Sequence, residues 1–285
     1  MTIDEACITC IINQSAKVAN AIHASSSLTN ELISTVTDMS ESFSYNDSPP
    51  EIASYVYEKM ALIADKSDLY DEVKEASTKK ALSFVPILKE KMASSSDKLL
   101  SATKIAVAGN VIDLAAEVEF DLKEEFEKIF DTRFALNDFE PFEKKLLDSK
   151  TVLIIGDNVG EHIFDHMLIE ALKELYPSIK FYYMVRGNPI INDVTIKEAK
   201  EAGFDKICEI VDSGVNTPGF VYERANGYSK ELFDRVDLII SKGMGNYECL
   251  SPSHRSGICF LLKIKCSVVA ASLNKEVGDI VCKMV

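Results

Sequence analysis

The sequence predicts an α/β protein: an all-helical N-terminal domain followed by an α/β domain built on a mostly parallel, six-stranded sheet. Three observations carry this reading. Up to about residue 148 there is almost no strand pattern. After Lys150 short apolar, β-branched or aromatic runs begin. Helix-like segments or long loops separate most of these runs, the alternation expected of a parallel sheet with helices against it.

In the first part, segments 5–22, 29–42, 50–64 and 67–92 place apolar residues at three- and four-residue spacing, the helical period. The stretch "YNDSPPE" separates the second from the third, with Pro50 suited to a first helical turn. The small polar stretch "MASSSDK" at 92–98 marks the boundary between an all-α domain, 1–92, and an α/β domain, 93–285. Helices at 98–117, 121–130 and 138–147 open the second domain. The six strand candidates follow as "TVLIIGD", "KFYYMVRG", "KICEIVDSG", "DLIISKG", "GICFLLKIKC" and "DIVCKMV". Only a short helix-like segment precedes the last, so it is a candidate antiparallel edge strand.

With 285 residues, 47% of them apolar, the chain can bury a substantial core. A formal charge of -14 argues against nucleic acid or an acidic membrane surface as partner. No apolar run approaches the roughly 20 residues that span a bilayer. The opening "MTIDEACITC" lacks the basic flank of an export signal, so a cytoplasmic protein is expected. The seven cysteines are odd in number and do not read as a disulfide framework. Cys208, Cys259, Cys266 and Cys282 lie in strand-like runs and read as small buried hydrophobes. Cys7 and Cys10 form C-x-x-C on a helix, read either as buried helix cysteines or as an accessory metal or redox pair.

The polar residues at strand ends point to chemistry, because the ligand crevice of an open parallel sheet lies beyond the carboxyl ends of its strands. The first strand ends at Asp157-Asn158, the second at Arg186-Gly187 followed by "NPIINDVT", the fourth at Lys242 in "SKGMGNYE". Asp157, Asn158 and Asp193 are hard oxygen donors of the kind that hold Mg²⁺ or Mn²⁺. Lys242 and Arg186 supply positive charge, and Gly243 and Gly245 allow close backbone approach to an anion. A cation and an anion cradle together read as phosphoryl chemistry. The plainer alternative for Asp193 is that it caps a helix starting at Val194. Glu161 opens the helix after Asn158, as an N-terminal cap or as support for the metal ligands. His162 and His166 are one turn apart, but Ile163 stands where a zinc protease needs glutamate, so they read as surface or core residues.

The blocks "GDNVGEHIFD", "VRGNPIINDVT" and "DLIISKGMGNYECL" resemble the signature blocks of the metal-dependent phosphatases grouped as domain of unknown function 89, the damage-control phosphatase family. "AGNVID" (108–113) resembles its upstream Gly-Asn-x-x-Asp block, and "CITC" and "LLKIKCSVVAASL" resemble its stand-alone prokaryotic branch. The resemblance implies a helical domain packed on a three-layer α/β/α domain, so that 93–285 would be the metal-binding catalytic domain, with a divalent metal at Asp157, Asn158 and Asp193. Mg²⁺ or Mn²⁺ are the expected ions, with Co²⁺ or Ni²⁺ as alternatives. It implies hydrolysis of phosphate esters, including sugar phosphates and phosphopantetheine derivatives, and disposal of damaged phosphometabolites. Met244 departs from relatives, which often carry a polar residue there.

The expected enzyme is therefore a phosphatase acting on a small phosphorylated metabolite. Asp157 is either nucleophile or ligand, and Lys242 binds the transferred phosphate. Asn110, Asp113, Glu161, Arg186, Asn188, Asn246 and Glu248 line the remaining cleft. Two other classes stay open: an S-adenosylmethionine-dependent carboxyl methyltransferase, an activity claimed for one eukaryotic branch, and a non-catalytic phosphometabolite binder. "IIGDNVGE" lacks the G-x-G-x-x-G of a dinucleotide site.

Overall fold

The structure is a computed structural model that describes residues 1–111 and 128–285. Four helices open the chain: α1 (Glu5–Ala21), α2 (Ser26–Ser40), α3 (Pro49–Ala64) and α4 (Asp71–Ser94). Local chemistry sets their starts. The Asp4 carboxylate accepts from the amides of Ala6 and Cys7, at 2.8 and 3.2 Å, and the Ser25 hydroxyl accepts from Leu28 N at 3.2 Å. At α3, Pro49 takes the first turn while Glu51 reaches back to Ser48 N at 3.1 Å. The apolar stripes of α1, α2 and α3 meet in one core through Val18, Leu32, Val36, Ile52, Val56 and Met60.

After the polar break comes α5 (Lys98–Val111). Further on are β1 (Leu136–Asn137), α6 (Phe139–Leu147), β2 (Thr151–Ile155), α7 (Glu161–Leu175), β3 (Lys180–Val185) and α8 (Ile196–Glu201). Then follow β4 (Glu209–Asp212), α9 (Gly227–Arg235), β5 (Leu238–Lys242), α10 (Gly243–Leu250), β6 (Ile258–Lys263), α11 (Ser267–Leu273) and β7 (Ile280–Met284). The predicted helix 121–130 falls almost wholly outside the described residues, as does the end of the one predicted at 98–117.

The sheet has seven strands among the described residues, in the order β1-β7-β6-β5-β2-β3-β4, and six were expected. The extra strand is β1, whose two residues pair in parallel with Val281 and Cys282. Two residues are too few to display a strand period. β7 does run antiparallel, against β6, as its short connection through α11 allows. It is not the edge, however, because β1 covers its far side. All other pairs are parallel.

Alternation along each strand divides its side chains between two cores. Val152 and Ile154 of β2 face one way, joining Leu88 of α4, Ile105 of α5, Phe142 of α6 and Leu168 of α7. Leu153 and Ile155 face the other, joining Leu232 of α9, Leu250 of α10 and Val269 of α11. β2 lies between β3 and β5, so the chain leaves it in one direction and returns on its other side. That is the switch point at which such sheets open a crevice. Ile190, in the connection after β3, is buried in the core of α1–α3, which ties this connection to the N-terminal helices.

The opposite end of β2 is fixed by Asp237, just before β5, whose carboxylate accepts from Lys150 N, Thr151 N and Thr151 Oγ1, each at 2.9 Å. These amides hold its pKa below the ordinary carboxylate value. The contribution is therefore present above the unfolded carboxylate range and is lost as pH falls through the folded value. Asp237→Ala is expected to lower the unfolding free energy by about 1–2 kcal/mol at neutral pH, and by less in acid, as measured by urea denaturation.

Candidate active site

Two loops build the site. β2 runs out at Ile155, and Gly156 N donates to Met184 O at 3.0 Å, extending the pairing with β3 by one step. A side chain at Gly156 would meet the Tyr183 hydroxyl at 2.5 Å, so the strand can leave the sheet here only as glycine. Asp157 and Asn158 follow. The connection after β3 then folds back on them. Val159 N donates to Asn192 O at 2.7 Å, Val194 N donates to Asp157 O at 2.9 Å, and Asn158 and Asp193 form an antiparallel bridge. Residues 35 positions apart are thereby placed side by side.

Asp193 is not the helix cap. Thr195 takes that role for α8, with Glu198 bonding back to Thr195 N at 2.9 Å and Thr195 Oγ1 at 2.6 Å. The Asp193 carboxylate instead accepts from Arg186 Nε at 2.7 Å. The second arm of Arg186, Nη2, donates to Asn246 Oδ1 at 3.1 Å, and its Nη1 has no hydrogen-bond partner among the described residues. Asn246 is a clamp: its amide donates to Gly156 O at 3.0 Å and to Lys242 O at 2.7 Å, and its Oδ1 accepts from Phe220 N at 2.8 Å. Arg186 and Asn246 are both buried behind the site and orient its walls.

The Asn158 amide donates to Asp157 Oδ2 at 3.1 Å and to Glu161 Oε1 at 2.8 Å. With its Nδ2 so engaged, its Oδ1 is the group left to act as an oxygen donor. Asp157 lies against the start of α10. A Cβ on Gly243, whose φ is +75°, would sit 1.8 Å from Asp157 Oδ2. The carboxylate thus approaches a helix N-terminus, where the backbone presents partial positive charge. Burial, then the charges of Glu161 and Asp193, push Asp157 up to about 8. Burial pushes Asp193 up to about 6, against the lowering effect of Arg186. Among the described residues no three acidic, histidine or cysteine side chains form a ligand set by themselves. The two carboxylates of Asp157 and Asp193 with the Asn158 amide oxygen are nonetheless hard donors of the kind that suit a divalent cation, which would relieve the repulsion between the carboxylates.

Asp157, Asn158 and Asp193 open onto a cavity of about 300 Å³. Its other walls are α1 and α3, the first turn of α10 with Glu248 further along, and the loop after β6 with Lys265. Lys265 is near enough for its charge to lower the Asp157 pKa. Cys7 and Cys10 also line the cavity; Cys7 packs against the helical core as well, whereas Cys10 is exposed.

Of the predicted site residues, the structure brings Asp157, Asn158, Asp193 and Glu248 to one cavity. Glu161 stands behind Asn158, 3% exposed. Asn188 is exposed and lines a neighbouring cavity of about 280 Å³. The Asn110 side chain and Asp113 lie outside the described residues. Lys242 goes elsewhere. It is fully buried, donating to Ala106 O of α5 at 2.8 Å and pairing with Asp165 of α7, whose other oxygen accepts from Tyr183 at 3.0 Å. Sequence reasoning singled out neither Asp165 nor Lys265. His162 is a core residue, its Nδ1 accepting from Gly160 N at 2.9 Å.

Fold and cluster together define an α/β protein with an oxygen-rich, acidic cleft at the switch point of its sheet. The profile described as "Damage-control phosphatase ARMT1-like domain" matches residues 3–281, and the chain belongs to that family, also known as DUF89. It is 30% identical to "Damage-control phosphatase PH1575" of Pyrococcus horikoshii, covering 99% of this chain and 98% of that protein. It is also 30% identical to a "Damage-control phosphatase" of Archaeoglobus fulgidus, over 100% of both chains. "Uncharacterized protein MJ0202" of Methanocaldococcus jannaschii is 33% identical over 96% of this chain and 92% of its own length. The crystal structure of the Pyrococcus horikoshii DUF89 protein superposes with a TM-score of 0.93 at 29% identity, covering 100% of this chain and 99% of the other.

The placement of Lys242 makes a prediction about stability. Lys242→Ala leaves the Asp165 carboxylate buried without its cation and is expected to cost about 3–5 kcal/mol of unfolding free energy in denaturant titrations. Lys242→Ala combined with Asp165→Ala should cost less than the sum of the two single changes.

Proposed function

We propose that this chain is a divalent-metal-dependent phosphatase acting on small phosphomonoesters. The observation that carries the reading is the meeting, around one cavity of about 300 Å³, of the Asp157–Asn158–Asp193 oxygen cluster with Lys265, whose charge reaches Asp157. A cluster of hard donors beside a cation accommodates a metal–phosphate pair, and the volume suits a small metabolite. The relatives named damage-control phosphatases align over nearly the whole chain, which supports the same chemistry.

Asp157, Asn158 and Asp193 would hold Mg²⁺ or Mn²⁺, with Co²⁺ or Ni²⁺ as alternatives. Such an ion, when bound, supplies Lewis-acid polarisation of the phosphoryl oxygens. Arg186 holds Asp193 in register, and Glu161 fixes the Asn158 amide so that its oxygen stays available. Lys265, in place of Lys242, contacts the phosphoryl oxygens and stabilises the charge that builds on them. The walls from α1 and α3 limit water around the ester. Sugar phosphates and damaged phosphometabolites are the substrate class.

A screen of sugar phosphates and cofactor precursors with several divalent ions, and with chelator, tests this. Asp157→Ala is expected to abolish both turnover and calorimetric metal binding while leaving the circular dichroism spectrum intact. Lys265→Ala should lower kcat/KM by roughly 10²-fold, the cost of losing one preorganised donor. Undiminished turnover in chelator would overturn the reading. Tight metal-independent binding of S-adenosylmethionine would point to methyl transfer, and ester binding without hydrolysis under every ion to a binding protein.

A further inference from the structure

Helix α10 turns one stripe toward the cavity: Met244, Gly245 and, one turn later, Glu248. The first two face it because α10 begins at the switch point, where Gly243 receives Asp157. Helical spacing then brings Glu248 to the same space. The Asp157 side chain belongs to the oxygen cluster at the strand ends, whereas Glu248 is carried on a separate element, α10.

We propose that Glu248 is the general acid of the reaction, giving its proton to the leaving-group oxygen; this rests on the phosphatase reading above. In the step, the bond between phosphorus and the ester oxygen breaks while a water oxygen bonds to phosphorus. The ester oxygen takes the Glu248 proton and leaves as an alcohol. The attacking water loses one proton, which returns to Glu248, so that one water is consumed and one alcohol and one phosphate are released.

The other titratable groups of the cavity have different roles or the wrong acidity. Asp157 and Asp193 are the proposed metal ligands, and Lys265 the phosphoryl contact. Burial pushes the thiols of Cys7 and Cys266 up, and the Tyr57 hydroxyl far up, which makes each a poorer acid. Cys10 lines the cavity too, but is exposed to solvent. Burial pushes Glu248 itself up to about 7, the range in which a carboxyl can both give and recover a proton. Among the described residues the charged and titratable groups around it are Cys7 of α1, Tyr57 of α3, Cys249 of α10, Cys266 and Lys265 after β6, Asp157 and Asp193 in the same cavity, and the chain's amino group, with Glu51 of α3 near the last and Cys249. The amino group donates to the Glu248 carbonyl oxygen at 2.6 Å, and its charge partly offsets the effect of burial.

The test compares an alkyl phosphate, whose leaving alkoxide needs a proton, with 4-nitrophenyl phosphate, whose leaving group does not. Both are assayed at saturating Mn²⁺ across mildly acidic to mildly alkaline pH. For wild type on the alkyl ester, kcat/KM should fall as pH rises through the Glu248 pKa, because the acid must be protonated to act. Glu248→Gln should lower kcat on the alkyl ester by about 10²-fold or more, a typical loss for a general acid, and abolish the alkaline fall. It should change turnover of the nitrophenyl ester by no more than about threefold. Glu248→Asp, which keeps an acid, should retain the alkaline fall. Equal losses on both esters, or an unchanged pH profile in Glu248→Gln, would overturn the role of Glu248 alone. Failure of the wild-type chain to hydrolyse either ester would overturn the phosphatase reading, and the role of Glu248 with it.

Discussion

The site depends on a short antiparallel stitch outside the sheet. Strands β2 and β3 are parallel neighbours, with Ile155 opposite Met184, so both chains leave the sheet at the same level. The bond from Val159 N to Asn192 O and that from Val194 N to Asp157 O then lock the two exits together. A slip of one residue in the β2–β3 register would turn Asp157 toward the opposite side and separate it from Asp193. The same stitch anchors Ile190 in the helical core, so the packing of α1–α3 and the placing of the carboxylates are one problem. Ile191, beside the stitch, has φ of +46°, a left-handed conformation that a β-branched side chain adopts only under strain.

Two buried aspartates show how differently one fold can treat the same group. Asp165 sits between Lys242 and Tyr183, where a cation and a hydroxyl satisfy both of its oxygens. Asp157 is crowded by Glu161 and Asp193, and the nearby positive charges of Arg186 and Lys265 do not offset burial. The first arrangement joins α7, α5 and β5 into a rigid floor. The second leaves negative charge concentrated where a cavity meets the sheet, the pattern expected of a site that works on charged molecules.

Much of this was legible in the sequence because parallel sheets collect their strand ends. Asp157, Asn158 and Asp193 could be assigned to one place before any distance was known. Lys242 shows where that logic fails. Strand alternation puts it on the same face as Leu238 and Ile240, hence into the layer of α5 and α7 and away from the crevice. Period two could have signalled this, had strand β5 been followed to its last residue. Lys265 was hidden by composition: "GICFLLKIKC" reads as one strand, yet β6 stops at Lys263, and the lysine two positions on lies in the loop. Asp165 looks like any polar residue of a helix, and only the three-dimensional meeting of α7 with β5 reveals its partner.

The sheet order also has a consequence for how the chain emerges from the ribosome. Helices α1 and α3, the outer wall, are made first, and β2 and β3 follow. β2 then waits for β5, which is translated after β4, before its second edge is paired. Until then a nascent chain presents a strand of buried type, "TVLII", with open backbone donors and acceptors along one side. The glycine that accommodates Asp157 arrives only with the end of β5. The intermediate is thus most prone to wrong pairing while the segment from α8 to α9 is being synthesised, a vulnerability set by connectivity and independent of how stable the finished fold becomes.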